Sequence, residues 1–365
     1  MKSDNHPGDY VTQTLPTDSL AWRLLAFPGL LYAGAVQIRN RLFDVGFLRC
    51  DSLPNPVISI GNLTVGGTGK TPLVIHFAQV LGRLGAEPAL LSRGYGRAAR
   101  GSLVLPPGDT RSALSRLAGD EPALIRRRVP GIWLGIAGDR RAVGLQILRR
   151  NAQAVFLLDD GFQHRRLRRD LDIVVLDRSQ PFDQNRLLPA GTLREPLAGL
   201  RRADLVVLNG DRHAAGDDPL HASVRRYNTK ADIFHCTQHI ERLVSFDGWL
   251  ENGPDCTPFS DAPPVFLVAA VGNPKRFRAD VAAFGAVVAG ERFYPDHFSL
   301  KAHDWSSCVA EARARGAGAL LTTEKDAIKS PRVSGLPLLV AVQSTRFVEQ
   351  TELEGILRGV IGGRP

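Results

Sequence analysis

The sequence is poor in cysteine and lysine. Its 365 residues include four cysteines, scattered without metal-site spacing, and we expect them to be reduced thiols in a cytosolic setting. Only seven of the 46 basic residues are lysine, so arginine carries most of the net charge of +9. A positive net charge of this size is typical of proteins that bind nucleic acid, an anionic membrane or phosphorylated substrates. Because neither a nucleic-acid motif nor a basic patch interleaved with aromatic residues accompanies it, we expect no nucleic-acid partner.

The sequence also lacks an apolar run long enough for a membrane span. Between Arg23 and Arg39, 15 residues are uncharged, whereas a span needs about 20, and Pro28 interrupts this run. The N-terminal pattern predicts no cleavable signal peptide. Trp22, Tyr32 and the flanking arginines suit a helix that lies on an anionic membrane surface. A helix buried against the main domain is the alternative, and we favour membrane attachment.

The rest of the chain is organised around the stretch from Pro56 to Gly85. A β-branched apolar run at its start predicts a buried strand, and apolar residues at helical spacing after Thr71 predict a helix. A glycine-rich loop joins the two, and this order is typical of the phosphate-binding P-loop. The residues expected to contact the nucleotide are Thr64, Val65, Gly66, Gly67, Thr68, Gly69, Lys70 and Thr71.

The chemistry of a P-loop explains these residue types. Glycines let successive backbone N–H groups point at phosphate oxygens, and the N-terminus of the following helix favours the same anion. Lys70 can reach the outer phosphates, and the Thr71 hydroxyl can bind Mg²⁺. One departure is Thr64, which stands where the usual pattern has a glycine. A glycine-rich turn without a ligand is the alternative, which the ordered context disfavours.

Two acidic residues follow another apolar strand. Asp159 and Asp160 end the run AVFLLDD, at the edge of an α/β sheet where ligands bind. P-loop enzymes use a carboxylate at this place to hold Mg²⁺, directly or through water. A solvent-exposed Asp-Asp-Gly turn is the alternative. We therefore expect this pair to belong to a magnesium site.

Three further motifs carry residues with more than one interpretation. Asp120 starts a predicted helix, where it could accept a proton from an attacking hydroxyl or simply cap the helix. Arg194 and Glu195 lie in a loop flanked by proline and glycine, which indicates either a site or a surface ion pair. His297, beside Asp296, could orient a carboxylate or be structural. The residue pattern alone leaves these roles open.

Short apolar strands that alternate with helices predict the fold class. We expect an α/β fold, with a P-loop NTPase-like, mostly parallel sheet that has helices on both faces. A β-hairpin linker would join it to a smaller C-terminal α/β domain. The predicted segments are a poorly ordered N-terminus (1–17), a membrane-associated helix (18–48), the P-loop domain (49–230), the linker (231–262) and the C-terminal domain (263–365).

Eight stretches, in order, together resemble one family, the tetraacyldisaccharide 4'-kinases or lipid A 4'-kinases. They run from about residue 56 to residue 329 and thus cover most of the chain. The family's P-loop likewise lacks the first glycine, which would explain Thr64. The stretches are PVISIGNLTVGGTGKTP, LSRGYGR, GDEP, DDGFQHRRL, LLPAGTLREP, GNPKRF, YPDHF and LLTTEKDAIK.

The resemblance implies an activity and its cofactors. The implied reaction transfers the γ-phosphate of ATP, with Mg²⁺, to the 4'-hydroxyl of tetraacyldisaccharide 1-phosphate in lipid A biosynthesis. The chain would thus be a phosphotransferase with an alcohol acceptor. Its partners would be this lipid and a membrane surface, at the cytoplasmic face of the bacterial inner membrane.

The resemblance also implies roles for individual residues. Lys70 and Thr71 would hold phosphates and Mg²⁺, and Lys70 would also act in catalysis. Asp120 would be the base, with His297 as the partner that tunes it. The acidic Mg²⁺ shell would comprise Asp159, Asp160 and Glu195. The candidates for phosphate contacts are Arg140, Arg141, Arg165 and Arg194.

Two other functions remain open at this point. A soluble P-loop kinase of a small polar metabolite would not need an apolar N-terminal helix. A P-loop GTPase-type switch would need a base-recognition motif, and the stretch TEKD from Thr323 to Asp326 superficially resembles one.

Overall fold

The structure is a computed structural model. It describes residues 20–97, 101–108, 114–179, 186–211, 218–252, 258, 262–296 and 298–363, with the backbone alone for 20–26. The helices are α1 (Leu20–Asp44), α2 (Lys70–Arg83), α3 (Leu114–Ala118), α4 (Asp120–Arg128), α5 (Arg140–Leu148), α6 (Pro219–Tyr227), α7 (Phe246–Asn252), α8 (Pro274–Phe284), α9 (Ala302–Ala314), α10 (Glu324–Ala327) and α11 (Gln350–Gly362).

The strands alternate with these helices, as the sequence predicted. They are β1 (Val57–Gly61), β2 (Glu87–Ser92), β3 (Leu103–Leu105), β4 (Trp133–Ile136), β5 (Ala154–Asp159), β6 (Leu171–Asp177), β7 (Leu205–Asn209), β8 (Asp232–Ser245), β9 (Val265–Ala270), β10 (Val288–Tyr294), β11 (Ala319–Thr323) and β12 (Leu338–Phe347).

The described residues divide into two compact units. The larger comprises those within 14–112, 116–238 and 345–365, and the smaller comprises those within 113–115 and 239–344. In the larger unit the strand order is β8-β7-β6-β1-β5-β2-β4-β3. Its strand pairings are parallel except that of β3 with β4. This is the α/β sheet of a P-loop protein.

Strand β1 lies in the middle of this sheet, between β5 and β6. The register pairs Ile60 with Asp159 on β5, and Gly61 with Val174 on β6. The carboxyl ends of these three strands therefore meet at one edge. In parallel α/β sheets such an edge is where ligands bind.

Helices cover both faces of the sheet, as predicted. Val143 and Ile147 of α5 join a buried apolar cluster with residues of β2 and β5. Helix α2 packs against β1, β2 and β5 with seven buried residues. With both faces covered, all five residues of β1 are buried. Burial on both faces explains the continuous apolar run that predicted this strand.

Helix α1 confirms the helix predicted for 18–48 and continues through Pro28, which we expected to interrupt the apolar run. Within the part of the chain that the structure describes, no helix combines the length and apolar character that a membrane span requires. The segment 1–17, predicted to be poorly ordered, lies outside the described residues.

The segment predicted as a β-hairpin linker begins, in the described residues, with one long strand. Strand β8 runs unbroken over 14 residues, and α7 follows it directly. Its burial alternates up to Ile240, and the strand continues through Glu241 and Arg242, where a turn was expected. Pro258 makes an isolated antiparallel bridge to Val244. The period-two pattern was thus one long strand, because its polar residues alternate with buried ones rather than marking a turn.

In the smaller unit the strand order is β10-β9-β11-β12, and these pairings are parallel. However, the predicted C-terminal domain, 263–365, ends too late, because residues from 345 onward belong to the larger unit. In the larger unit, the Phe347 ring packs edge-on against the Phe77 ring of α2, with 6.0 Å between the ring centroids. The Nε2 atom of His76 and Oε1 of Gln350 are hydrogen-bonded at 3.1 Å. Packing against α2 thus fixes the position of α11.

Candidate active site

The loop between β1 and α2 has the backbone of a phosphate cradle. Gly69 precedes the first residue of α2 and adopts a left-handed conformation, with φ of 77° and ψ of 24°. A Cβ atom at this position would lie 2.4 Å from the Gln238 side chain and 2.6 Å from that of Asn209. Both the conformation and the close approach therefore require glycine. Lys70 and Thr71 follow in the first turn of α2, as predicted.

Three amide side chains hold this loop in shape. Asn62 donates hydrogen bonds to the Thr64 carbonyl at 2.7 Å and to the Thr68 hydroxyl at 3.0 Å. Asn209 donates to the Thr68 carbonyl at 3.1 Å, and Gln238 to the Gly69 carbonyl at 2.7 Å. These bonds use oxygen atoms of the loop and none of its N–H groups. Of those, the Val65 and Thr68 N–H groups donate to the carbonyls of Thr192 and Gly66, and the glycine N–H groups suit an anion.

Thr64 stands where most P-loops have a glycine, and its pairing explains why. It forms an antiparallel bridge with Leu193, so its backbone is extended and a side chain is tolerated. Its neighbours follow the same pairing. The Val65 N–H donates to the Thr192 carbonyl at 2.8 Å, and the Arg194 N–H donates to the Leu63 carbonyl at 2.7 Å. The loop that carries Arg194 and Glu195 is therefore fastened directly to the P-loop.

The acidic pair lies beside the P-loop, as predicted. Among the described residues, Asp160 is the one non-glycine with a positive φ, at 50°. Backbone strain of this kind collects at functional sites. Nη1 of Arg194 donates to both Asp160 oxygens, at 2.8 and 2.7 Å, and Lys70 Nζ lies 3.5 Å from Oδ1. Although burial raises the pKa of Asp160, these two cations outweigh it and lower the pKa overall.

Asp159 has the opposite electrostatic character. Burial, together with the nearby carboxylates of Glu121 and Asp160, raises the pKa of Asp159 to about 7. Lys70 and a 3.1 Å hydrogen bond from the Ser92 hydroxyl reduce this rise. One aspartate of the pair is therefore ionised at neutral pH, whereas the other is poised to take or release a proton.

The predicted base, Asp120, is the neighbour of Glu121, whose carboxylate helps to raise the Asp159 pKa. Asp120 is the first residue of α4 and is half-buried, and Glu121 follows it. Because Glu121 influences the Asp159 pKa, the start of α4 lies near the acidic pair. His297, the predicted partner of Asp120, lies outside the described residues.

Glu195, predicted as a magnesium ligand, already has several partners. Only 1% of this residue is exposed. Arg202 donates to both carboxylate oxygens, at 3.0 and 2.8 Å. Gln163 donates to Oε1 at 3.0 Å, and Asn40 of α1 donates to Oε2 at 3.1 Å. A bond from Glu195 to Mg²⁺ would have to replace or share one of these, so its role as a direct ligand stays a prediction.

The four candidate arginines have different surroundings. Arg165 donates to Asp44 of α1 at 2.7 Å, so it fastens a helix. Arg141 is half-buried and donates to the Ser52 carbonyl at 3.4 Å in a solvent-exposed bond. Arg194 contacts Asp160 as described above. Of these three, Arg194 alone touches the acidic pair.

Arg140, the fourth candidate, is buried at the start of α5. Its Nη1 lies 3.4 Å from Nδ1 of His164. Burial and the positive charge of Arg140 lower the pKa of His164 to about 4, so the imidazole is neutral. Burial and Arg93 also lower the pKa of Arg140, whereas Asp159 and Asp160 act against this. Arg140 is therefore a buried cation in the field of the acidic pair.

The residues fit Mg²⁺ chemically. In the part of the chain that the structure describes, no cluster of three or more His, Cys, Asp and Glu side chains is arranged to hold a metal ion. In kinases Mg²⁺ is bound by one or two carboxylates together with substrate phosphates. The hydroxyl of Thr71 and the ionised carboxylate of Asp160 are oxygen donors of this kind. Both belong to segments that flank the phosphate cradle.

The TEKD stretch has a structural role in the smaller unit. Asp326 is fully buried and accepts hydrogen bonds from the Ala270 N–H and the Thr323 hydroxyl, both at 2.9 Å. Glu324 accepts one from the Trp249 indole at 3.2 Å. Both acidic side chains serve the unit's own core. This arrangement argues against recognition of a guanine base.

Several residues that shape the site were not predicted from the sequence. Their signal was weak, because amides and hydroxyls in loops are common and distant partners leave no local pattern. Four of them did lie inside quoted motifs: Asn62 in PVISIGNLTVGGTGKTP, Ser92 in LSRGYGR, Glu121 in GDEP and Gln163 in DDGFQHRRL. The missed residues are Asn40, Asn62, Ser92, Glu121, Gln163, Asn209 and Gln238.

Comparison with known proteins matches these observations. A model of the family described as "LpxK: Tetraacyldisaccharide-1-P 4'-kinase" matches residues 21–362. A tetraacyldisaccharide 4'-kinase of Syntrophus aciditrophicus is 37% identical over 324 residues, covering 86% of each chain. One of Anaeromyxobacter sp. (strain Fw109-5) is 40% identical over 324 residues, covering 88% of this chain and 85% of its own.

A solved structure is similar over the same length. LpxK from Aquifex aeolicus, crystallised in complex with ATP, is 30% identical and has a TM-score of 0.74. The match covers 94% of this chain and 100% of the Aquifex chain.

Proposed function

Since this chain belongs to the tetraacyldisaccharide 4'-kinase family, we propose how its residues carry out that family's reaction. The chain is an ATP-dependent phosphotransferase whose acceptor is the alcohol of a lipid A precursor, tetraacyldisaccharide 1-phosphate. One observation carries the account: Lys70 and Arg194 converge on Asp160 beside the P-loop. Phosphoryl transfer depends mainly on such positioning and charge, since the protein contributes little covalent chemistry.

The P-loop holds the phosphates of ATP. The backbone N–H groups of Gly66, Gly67 and Gly69 and the N-terminus of α2 favour the polyphosphate. Lys70 is the catalytic cation, because its ammonium can leave Asp160 for the β- and γ-phosphates as charge develops on them. Arg140, a buried cation near the acidic pair, is a second candidate for a phosphate contact.

Thr71 and the acidic pair hold the magnesium ion. When bound, Mg²⁺ neutralises charge on the transferring phosphate. Asp160 is the first choice as the carboxylate that holds it, because its lowered pKa keeps it ionised. Asp159 would contribute once it has lost its proton. Glu195 remains a candidate whose orientation is set by Arg202, Gln163 and Asn40.

Asp120 accepts the proton of the attacking 4'-hydroxyl. Its place at the start of α4, next to Glu121 and so near Asp159, supports this role. A carboxylate base of this kind makes the alcohol oxygen more nucleophilic as it attacks phosphorus. His297 would tune Asp120, a role that follows from the family's motifs and not from contacts.

Helix α1 brings the enzyme to its lipid substrate. Phe27, Leu30, Leu31 and Ile38 are between 60% and 71% exposed, and we call them the apolar stripe. Large apolar side chains on one helix suit the surface of a bilayer. The stripe supports attachment to a membrane surface, and the surface we propose is the cytoplasmic face of the inner membrane. Co-sedimentation with anionic phospholipid vesicles should fall when Leu30 and Leu31 become serine, and unchanged binding would count against this surface.

A transfer assay tests the proposed function. Full-length protein is incubated in detergent with γ-labelled ATP and tetraacyldisaccharide 1-phosphate, and the lipid is examined for label. We expect labelled lipid with ATP and much less with GTP, since TEKD serves the core of the smaller unit. Folded protein that binds ATP but labels no lipid would contradict the proposal.

A further inference from the structure

Helix α1 is connected to the transfer site by three of its side chains. The Tyr32 hydroxyl donates to the Arg194 carbonyl at 2.8 Å, and Asn40 Nδ2 donates to Glu195 Oε2 at 3.1 Å. Arg39 donates to the Gln163 carbonyl at 2.7 Å. Positions seven and eight apart lie on one side of a helix, two turns along. One side of α1 therefore faces the loop that carries Arg194 and Glu195.

Arg194 connects Tyr32 to the acidic pair, and Asn40 contacts Glu195 directly. Arg194, whose carbonyl accepts the bond from Tyr32, uses its guanidinium to hold both oxygens of Asp160. Glu195, held by Asn40, also accepts a bond from Gln163. Each bond is short and partly buried, so solvent competes with it weakly.

We infer that Tyr32 and Asn40 are positioning residues: Tyr32 acts through Arg194 on Asp160, and Asn40 acts through Glu195, so that together they set where these candidate ligands stand relative to the P-loop. Neither residue touches Asp160, and each acts through the residue that it holds. This inference rests on the proposed kinase function, because the groups they position are those assigned to Mg²⁺ and ATP. The helix proposed to contact the membrane is then also connected to the transfer site.

The two sides of α1 can be separated by mutation. Tyr32→Phe removes one hydroxyl and keeps the ring, and Asn40→Ala removes the amide that holds Glu195. Gln37→Ala alters an exposed position of the same helix and is the matched control. Leu30→Ser with Leu31→Ser alters the apolar stripe. Melting temperatures of all variants establish that they are folded before they are compared.

The readout is the affinity for a metal ion, measured apart from turnover. Mn²⁺ replaces Mg²⁺, and its binding to full-length protein with a non-hydrolysable ATP analogue is followed by electron paramagnetic resonance in detergent. The loss of a hydrogen bond to a charged group predicts about tenfold weaker Mn²⁺ binding for Asn40→Ala. The loss of a hydrogen bond to a neutral carbonyl predicts about threefold weaker Mn²⁺ binding for Tyr32→Phe. Gln37→Ala and the stripe variant should bind Mn²⁺ as the parent does.

Several outcomes would overturn the inference. Parent-like Mn²⁺ affinity in Tyr32→Phe and Asn40→Ala would do so. An equal loss in Gln37→Ala would also do so, because the effect would then belong to the helix in general. Should Asn40→Ala not fold, Tyr32→Phe alone decides the question. A parent protein that binds Mn²⁺ and the analogue but transfers no phosphate would refute the proposed function instead, and leaves the comparison of affinities intact.

Discussion

Arg194 and Asp160 form the central ion pair of the site, with Nη1 at 2.8 and 2.7 Å from the two carboxylate oxygens. The two residues are 34 positions apart, in different motifs. Their contact joins the loop after β5 to the loop fastened on the P-loop. It also keeps Asp160 ionised, because the guanidinium helps to lower its pKa against the effect of burial.

We predict that Arg194→Ala lowers kcat by about tenfold or more, because Asp160 loses both its charge partner and its orientation. Arg225→Ala is the matched control, since Arg225 donates to the carbonyl of Ala231 and lies outside the site. It should keep kcat within about twofold of the parent. Steady-state kinetics with the lipid acceptor in detergent measures both. Equal effects in the two variants would show that the ion pair has no special role.

Magnesium affinity should depend on pH through Asp159. Its pKa of about 7 means that this carboxyl is largely protonated at about pH 6 and ionised at about pH 8. Because the metal must displace the proton, Mg²⁺ affinity is expected to fall as pH drops through 7, approaching about tenfold per unit. Titration of Mg²⁺ into the complex with an ATP analogue checks this. The same affinity across this range would contradict the assignment.

Glu121 provides a control for that pH dependence. Its carboxylate helps to raise the Asp159 pKa, so Glu121→Gln should move the transition to lower pH without abolishing it. A transition that does not move would mean that another group titrates.

Gly69 should tolerate no side chain. In Gly69→Ala the new Cβ meets the Gln238 and Asn209 amides, which are themselves bonded to the loop, and φ stays at 77°. We expect the melting temperature without nucleotide to fall by about 4 °C or more. In Gly67→Ala the Cβ would have no described heavy atom within 4 Å. A change within about 1 °C is expected there. Similar losses in both would mean that the close approach at Gly69 is unimportant.

Proton transfer can be tested at Asp120. Asp120→Asn keeps the shape and helix-start preference of the side chain but removes the base. We expect kcat to fall by about a hundredfold or more, with little change in the KM for ATP. His297→Ala should also lower kcat more than it raises this KM. Asp139→Asn is the control, since Asp139 caps α5 through the Ala142 N–H. Near-parental turnover of folded Asp120→Asn would exclude Asp120 as the base.

Much of the nucleotide site could be predicted because its determinants are close together in sequence. The run from β1 to α2 has its strand, its left-handed glycine and its helix within one short stretch. Asp159 and Asp160 end a strand whose continuous apolar run marks it as buried. Local periodicity and glycine conformation are properties that a sequence displays directly.

The supporting contacts could not be predicted in the same way. Asn40 and Glu195 are separated by 155 positions, and no local pattern pairs an amide with a carboxylate at that distance. The return of α11 to the larger unit depends on packing against Phe77 and His76, whose partners are equally distant in sequence. Tertiary contacts also decided that β8 is one strand, because two short alternating strands and one long strand share the same period.

The central claim is that this site transfers the γ-phosphate of ATP to one particular hydroxyl. The most direct measurement is ³¹P NMR, with mass spectrometry, of the lipid formed from tetraacyldisaccharide 1-phosphate and ATP. We predict one new phosphate monoester at the 4'-oxygen for each ADP released, and almost none with Lys70→Ala. Release of ADP without an esterified lipid, or a phosphate on another oxygen, would contradict the account.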